Sequence, residues 1–144
     1  MATVGTLMRD RLGEVATIAP DATAQQAAMV MNDAHIGSLV VVSDEGTMVG
    51  IFTERDLLKR VVAQDRLPHD VRVGDVMTTD VWTCTVDTPV DELRLLMREK
   101  HIRHVPVMRD KVVYGMISIG DLNVAQVAEM SATITYLEQF MTKM

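Results

Sequence analysis

Two short stretches of the sequence carry the same polar residues at the same spacing. GIFTERD occupies residues 50–56 and GMISIGD occupies residues 115–121. At a junction between a strand and a helix, the hydroxyl of Thr53 or Ser118 can cap the helix or donate to a phosphate oxygen, and the first helical turn binds anions through its free N–H groups. The aspartate that ends each stretch can accept hydrogen bonds from both hydroxyls of a ribose. Phosphate and ribose recognition together predict a nucleotide site.

The same spacing also has a purely structural interpretation. A serine or threonine followed three residues later by an acidic residue is typical of a capping box, in which Asp56 or Asp121 only satisfies backbone donors at the start of a helix. Duplication of a folding unit would duplicate its caps as well. The residues alone leave both interpretations open.

The rest of the chain repeats in the same order. Residues 4–8, VGTLM, match residues 73–77, VGDVM, and residues 31–36, MNDAHI, match residues 97–102, MREKHI. Such self-similarity predicts two copies of one supersecondary unit. We place repeat 1 at residues 1–65, a connector at 66–70, repeat 2 at 71–127 and a C-terminal helical extension at 128–144.

Within each repeat the apolar pattern alternates between helical and strand periods. Residues 24–31 and 90–97 have an apolar face at helical spacing, and β-rich runs follow at 38–42 and 48–52, and at 105–108 and 112–117. Thr88 is expected to cap the second of these helices, with Pro89 in its first turn. The prediction is an α+β fold: two β-α-β-β-α repeats packed sheet to sheet about a pseudo-twofold axis, with a cleft on each side.

Composition restricts the partners. Fourteen basic and twenty acidic residues give a net charge of -6, and aromatic residues make up 3% of the chain, which argues against nucleic-acid and general anionic-membrane binding. No aliphatic run approaches the ~20 residues of a membrane span. A single cysteine and an N-terminus without an apolar core predict a cytoplasmic location.

Catalytic chemistry has little support. The sequence contains no HExxH, CxxC, GxSxG or GxGxxG motif and no Walker loop. His101 and His104 lie on a segment that need not bring them together, and Cys84 in an apolar strand is more often a core residue than a nucleophile. We expect neither an enzyme nor a metal site.

The C-terminal segment carries a heptad pattern of apolar residues. Its a and d positions are Val127, Met130, Ile134, Leu137, Met141 and Met144. Such a stripe packs either on its own domain or on a partner helix. We favour the partner helix, and therefore a homodimer.

Taken in order, the repeated motifs resemble a tandem pair of cystathionine-β-synthase (CBS) domains, a Bateman module. The resemblance covers the chain from Val4 to about Val127 and rests on VGDVMT at 73–78, TVDTPV at 85–90, HIRHVPV at 101–107 and GMISIGDL at 115–122. More narrowly, the chain is similar to short stand-alone bacterial CBS-pair proteins. The resemblance implies a regulatory module rather than a catalytic one.

The resemblance also implies an adenosyl ligand in the clefts: AMP, ADP, ATP or NAD(H), with S-adenosylmethionine less expected. By analogy, Asp56 and Asp121 would hold ribose hydroxyls, while Thr53 and Ser118 would face ribose or phosphate. The walls would come from Thr17, Ile18, Ala19, Ile36, Gly37, Ser38, Leu39, Thr83, Thr85, Ile102, Val105 and Pro106.

The two copies differ where phosphate charge would be met. Arg55 corresponds to Gly120, and the second repeat has His101, Arg103 and His104 where the first has His35, Gly37 and Ser38. We predict unequal sites, with the cleft that uses Arg103 and His104 better suited to a diphosphate or dinucleotide. The predicted role is ligand sensing that signals to an unknown effector protein. The alternative is a dimerisation or interaction scaffold whose clefts bind nothing.

Overall fold

The computed structural model describes residues 2–138, apart from the side chains of residues 129, 132, 133, 135 and 136. Its helices are α1 (Val4–Leu7), α2 (Ala24–Ala34), α3 (Glu54–Asp56), α4 (Val73–Val76), α5 (Val90–Lys100) and α6 (Ile119–Glu138). Its strands are β1 (Thr17–Ile18), β2 (Ser38–Val42), β3 (Met48–Thr53), β4 (His104–Arg109) and β5 (Val112–Ser118). Helix α3 continues into a π-helical turn, Leu57–Val61, and a 3-10 turn, Val62–Gln64.

The two repeats form matching sheets. In repeat 1, β1 runs parallel to β2, and β2 forms an antiparallel hairpin with β3. In repeat 2, β4 and β5 form the same hairpin, while the counterpart of β1 is reduced to a single parallel bridge between Cys84 and Val107. The predicted α+β pair of β-α-β-β-α repeats with a C-terminal helix is confirmed.

The helix starts follow the predicted signals in one repeat and depart from them in the other. Thr23 caps α2 in a capping box with Gln26, whose N–H donates to the threonine hydroxyl at 3.1 Å. The N-cap of α5 is Pro89 rather than Thr88, so that prediction was wrong. The hydroxyl of Thr88 instead accepts a hydrogen bond from the backbone N–H of Thr85 at 3.0 Å, which closes the turn before the helix.

The segments that open the two repeats are exchanged between their cores. We call residues 4–8 and 73–77 the leading segments. The core of repeat 2 contains residues from the first leading segment and consists of Val4, Met8, Cys84, Val90, Leu93, Met97, Val105, Val107, Ile117 and Leu122. The core of repeat 1 contains residues from the second and consists of Ala24, Ala27, Met31, Leu39, Val41, Phe52, Val61, Val71, Val73 and Val76. The boundaries at residues 65 and 71 remain a prediction about the sequence repeats, since each hydrophobic core contains residues from both repeats.

Backbone hydrogen bonds fix both exchanged segments in the same way. The N–H of Gly5 donates to the carbonyl of Val86 at 2.8 Å, and the N–H of Gly74 donates to the carbonyl of Pro20 at 2.8 Å. A Cβ atom at either glycine would lie 3.0 Å from that carbonyl oxygen, so the segments approach closely because glycine leaves the space. The glycine of each Val-Gly motif therefore allows the two repeats to pack closely against each other.

Helix α6 runs without a break through the predicted boundary between residues 127 and 128. The described residues of the heptad pattern are at least half exposed: Val127 62%, Met130 52%, Ile134 50% and Leu137 50%. Met141 and Met144 lie outside the described residues. Between residues 2 and 138, no helix is long and apolar enough to cross a bilayer.

Replacing Gly74 with alanine should destabilise the protein, because the new methyl group meets backbone that cannot rotate away. We expect the free energy of unfolding to fall by about 2 kcal/mol, measured by urea denaturation. Gly120→Ala is the matched control, because the nearest atom to its Cβ is the Ser118 hydroxyl at 3.4 Å. Equal stability of the two variants would contradict the exchanged packing.

Candidate functional site

The larger of two pseudo-twofold-related clefts lies where the chain passes from α1 to β1. This cleft, cleft A, has a volume of about 820 Å³. Repeat 1 contributes the end of α2 and the start of β2, and repeat 2 contributes the junction of β5 and α6. Its lining residues are Arg11, Gly13, Glu14, Val15, Ala16, Ala34, His35, Ile36, Gly37, Ser38, His104, Met116, Ser118 and Asp121.

In cleft A, Asp121 forms a capping box with Ser118 and an ion pair with Arg11 at the same time. The backbone N–H of Ser118 donates to Asp121 Oδ2 at 2.7 Å, and the Ser118 hydroxyl donates to the same oxygen at 3.0 Å. The guanidinium of Arg11 donates to both carboxylate oxygens. Any ribose that replaced this contact would have to displace Arg11, whose side chain is 53% exposed.

The ionisation of Asp121 reflects this competition. Burial of the carboxylate raises its pKa, but hydrogen bonds from Arg11 and Ser118 outweigh that effect, and the pKa of Asp121 lies below its ordinary value. The carboxylate is therefore charged at neutral pH and can accept hydrogen bonds from a ligand as well as from arginine.

The second cleft, cleft B, is related to the first by exchange of the repeats. It has a volume of about 550 Å³, within the range of small-molecule sites. Repeat 1 contributes the junction of β3 and α3, and repeat 2 contributes the start of β4. Its lining residues are Ile51, Thr53, Glu54, Arg55, Asp56, Leu58, Lys59, Thr78, Ile102, Arg103 and His104.

Asp56 is more deeply buried than Asp121, and its partners come from within the fold. The N–H of Thr53 donates to Oδ2 at 3.0 Å, and the Thr78 hydroxyl donates to Oδ1 at 2.9 Å. Arg60 lies 3.7 Å from the same Oδ1, and Asp56 is only 6% exposed. The capping-box interpretation thus holds in both repeats, while the ribose role of either aspartate stays a prediction.

The two clefts differ in charge. Cleft B is lined by three basic side chains and two carboxylates, which are Arg55, Lys59, Arg103, Glu54 and Asp56. Among the described residues that line cleft A, one is an arginine, Arg11, and two are carboxylates, Glu14 and Asp121. Arg55 is anchored across the repeats, because its guanidinium donates to the carbonyl of His101. Cleft B is therefore the more favourable environment for a phosphate chain.

His104 lies on the wall that separates the two clefts and lines both. Burial lowers its pKa below the ordinary value, although the nearby carboxylates of Glu54 and Asp121 act in the opposite direction. The imidazole is neutral at pH 7 and can act as a hydrogen-bond donor or acceptor toward a ligand in either cleft. A Cβ atom at Gly37 would lie 3.3 Å from His104 Nε2 and 2.9 Å from Glu54 Oε1, so this junction is tight.

The structure brings most of the predicted polar residues together and places the others elsewhere. Cleft A gathers Ile36, Gly37, Ser38, His104, Ser118 and Asp121, and cleft B gathers Thr53, Arg55, Asp56, Ile102, Arg103 and His104. Leu39, Val105 and Pro106 are buried behind the clefts. The predicted residues that line neither cleft are Thr17, Ile18, Ala19, Leu39, Thr83, Thr85, His101, Val105, Pro106 and Gly120. Val15 and Ala16 take the wall position expected of Thr17 to Ala19.

Sequence reasoning missed Arg11 and Thr78, the residues that bind the two aspartates. Each follows a leading segment, and each reaches its aspartate because that segment crosses to the opposite core. The repeated VG motif was the available signal, but we assigned each copy to its own repeat. The crossing segment also explains the glycine of the GIFTERD motif. A Cβ atom at Gly50 would lie 2.6 Å from the carbonyl oxygen of Thr78, so only glycine leaves room for that backbone.

The buried thiol has no features of a nucleophile. Cys84 is 6% exposed, and burial raises its pKa to about 11, so the thiolate is scarce at neutral pH. Among the described residues, no group of three or more histidine, cysteine, aspartate or glutamate side chains could hold a metal ion.

This chain is a tandem-repeat module: two copies of one α+β unit exchange their leading segments and form two clefts related by a pseudo-twofold axis. The sequence profile of the CBS domain matches residues 4–63 and 73–127, and the chain belongs to the CBS domain family. The resemblance seen in the motifs is thereby confirmed.

Relatives and solved structures agree with this assignment. The chain is 40% identical over 113 residues to the "CBS domain-containing protein CBSX3, mitochondrial" of Arabidopsis thaliana, a match that covers 76% of this chain and 55% of that protein. A crystal structure of the CBS-domain containing protein ATU1752 from Agrobacterium tumefaciens superposes with a TM-score of 0.82 at 37% identity, covering 88% of this chain and 95% of that one. The CBS domain pair of MJ0100, in complex with 5′-methylthioadenosine and S-adenosyl-L-methionine, has a TM-score of 0.76 at 27% identity and covers 90% and 98%.

The different environments of the two aspartates predict different costs on removal. Asp56→Ala should lower the free energy of unfolding by about 3 kcal/mol, because it removes a cap and a buried carboxylate and leaves the half-buried Thr78 hydroxyl without its partner. Asp121→Ala should cost about 1 kcal/mol, since its pairing with Arg11 is half exposed. Urea denaturation of both variants, with Asp75→Ala as an exposed control, measures the difference. Equal costs would contradict the hydrogen bonding described for Asp56.

Proposed function

We propose that the protein is a regulatory module that senses adenosyl ligands in clefts A and B. One observation carries this proposal. In each of the two clefts, a hydroxyl and an aspartate from one repeat face the start of a strand from the other repeat. The adenosyl compounds bound to the MJ0100 pair support the ligand class. Signalling would follow from unequal affinity of the ligand for two arrangements of the repeats or of a dimer.

The charge of each cleft favours a different ligand. Cleft B, with Arg55, Lys59 and Arg103, suits adenosine carrying a phosphate chain, such as ATP, ADP or NAD(H). Cleft A offers Arg11 already paired with Asp121, and so suits AMP or an adenosyl compound of lower negative charge. We keep the prediction of unequal sites in its original direction and assign the longer phosphate chain to cleft B, which Arg103 and His104 line.

A scaffold without a ligand is the second candidate. The complete hydrogen bonding of Asp56 favours it, because the carboxylate already has partners at both oxygens. In that case the effector protein, which the chain does not identify, would dock on the folded pair itself. The cytoplasmic location also stays a prediction.

Ligand titration separates the two candidates. Wild-type protein should bind at least one of AMP, ADP, ATP, NAD+, NADH and S-adenosylmethionine, and a ligand at a hundred times its dissociation constant should add about 2.7 kcal/mol of stability. Asp56→Asn and Asp121→Asn keep oxygen acceptors for the caps but lose charge, and the double variant should lose binding in calorimetry. Asp75→Asn on α4, which lines neither cleft, is the control. If no ligand raises the unfolding midpoint of the wild type, the scaffold candidate stands.

We also propose a homodimer formed through the heptad stripe of α6. The stripe is regular and half exposed, and apolar residues at that spacing favour a partner helix.

Charge in the stripe should disrupt this dimer. Met130→Glu combined with Ile134→Glu should convert a dimer into a monomer in sedimentation velocity, because two carboxylates would enter an apolar seam. Ser131→Glu lies on the same exposed helix off the stripe and should leave the dimer intact. A monomeric wild type, or a double variant that still dimerises, would contradict the proposal.

A further inference from the structure

A third hollow lies between α5 and α6, beside cleft B. We call it the arginine pocket; it is defined by Arg55, Arg94, Arg98, His101, Arg103 and Gln126 and has a volume of about 460 Å³. Four of the chain's fourteen lysine and arginine residues thus line one small pocket, in a protein whose net charge is -6. No carboxylate is found among the described residues that line it.

Two of the four arginines lie side by side on helix α5. Arg94 and Arg98 are separated by one turn of α5 and so lie on one face of the helix. Arg94 is held there, because its guanidinium donates to the carbonyl of Leu122 on α6 at 3.4 Å and to Asp91 Oδ1 at 3.3 Å. Like charges gathered in this way repel one another, and a bound anion would relieve that repulsion.

A structural explanation for part of the cluster also exists. Basic residues near the C-terminus of a helix interact favourably with its dipole, and Arg98 lies in the last turn of α5. This accounts for Arg98 alone. It does not account for Arg55 and Arg103, which come from other elements, nor for the amide of Gln126, which faces the same hollow from α6.

The arginine pocket adjoins cleft B. Arg55, Ile102 and Arg103 line both spaces, so the two arginines stand at the boundary between them. Arg55 is fixed at this boundary by its hydrogen bond to the carbonyl of His101. A ligand with its nucleoside beside Asp56 would therefore meet Arg55 and Arg103 first, and Arg94 and Arg98 beyond them.

We propose that the arginine pocket is an anion subsite for the terminal phosphates of a nucleoside triphosphate whose nucleoside lies in cleft B. This rests on the proposed function for the position of the nucleoside, but the anion pocket itself can be tested separately. The subsite makes affinity depend on phosphate number, so the module distinguishes ATP from AMP at cleft B. Guanidinium groups suit this task because their N–H groups match phosphate oxygens in pairs.

The experiment compares three probes by calorimetry at low ionic strength: ATP, AMP and inorganic tripolyphosphate. Arg98→Gln should weaken ATP and tripolyphosphate binding about tenfold, the loss of one charge-assisted contact, while AMP binding changes less than twofold. Gln126→Glu is a second variant with all arginines intact, and it should act in the same direction by repelling phosphate. Arg66→Gln, an exposed arginine that lines none of the three spaces, controls for net charge.

Each outcome decides the proposal. Equal losses for ATP and AMP, or an equal effect of Arg66→Gln, would overturn the subsite. If wild-type protein binds no nucleotide but binds tripolyphosphate, and Arg98→Gln removes that binding, the anion pocket stands and the proposed function fails. If wild-type protein binds neither ATP nor tripolyphosphate, the subsite fails, and the proposed function fails with it only if AMP and the other adenosyl ligands also do not bind.

Discussion

The backbone hydrogen bonds that join each leading segment to the opposite repeat determine much else in this molecule. Gly5 and Gly74 dock against Val86 and Pro20, and the residues that follow them enter the core of the other repeat. A repeat of about sixty residues buries only a modest apolar surface and is marginally stable alone. Exchange of α1 and α4 completes both cores and makes the pair fold as one unit.

The same exchange builds the clefts and makes them unequal. The chain leaving α1 brings Arg11 to Asp121, and the chain leaving α4 brings Thr78 to Asp56. One aspartate therefore forms an ion pair that a ligand could displace, and the other forms a buried hydrogen bond within the fold. Arg103, which stands where repeat 1 has Gly37, adds a positive charge to cleft B and not to cleft A. A symmetric fold thus carries two sites of different chemistry.

The sequence was sufficient to predict the repeats, the order of elements and the hydroxyl–aspartate pairs, because helical and strand periodicity and helix caps are local signals. It was not sufficient for Arg11, Thr78 or the arginine pocket. Those depend on contacts between residues far apart in the chain, such as Arg11 with Asp121 or Arg55 with His101. The resemblance implied walls at Thr17 to Ala19 and at Thr83 to Thr85, but neither group lines a cleft, and in cleft A the preceding residues Val15 and Ala16 form that wall.

The central claim is that an adenosyl ligand binds between the two repeats, with its ribose at a hydroxyl–aspartate pair. The most direct test is a crystal structure of the protein grown with a non-hydrolysable ATP analogue at saturating concentration. The account predicts the nucleoside in cleft B, with ribose hydroxyls within hydrogen-bond distance of Asp56 and phosphates on Arg55 and Arg103. An analogue bound outside both clefts, or clefts that contain only solvent under those conditions, would contradict it.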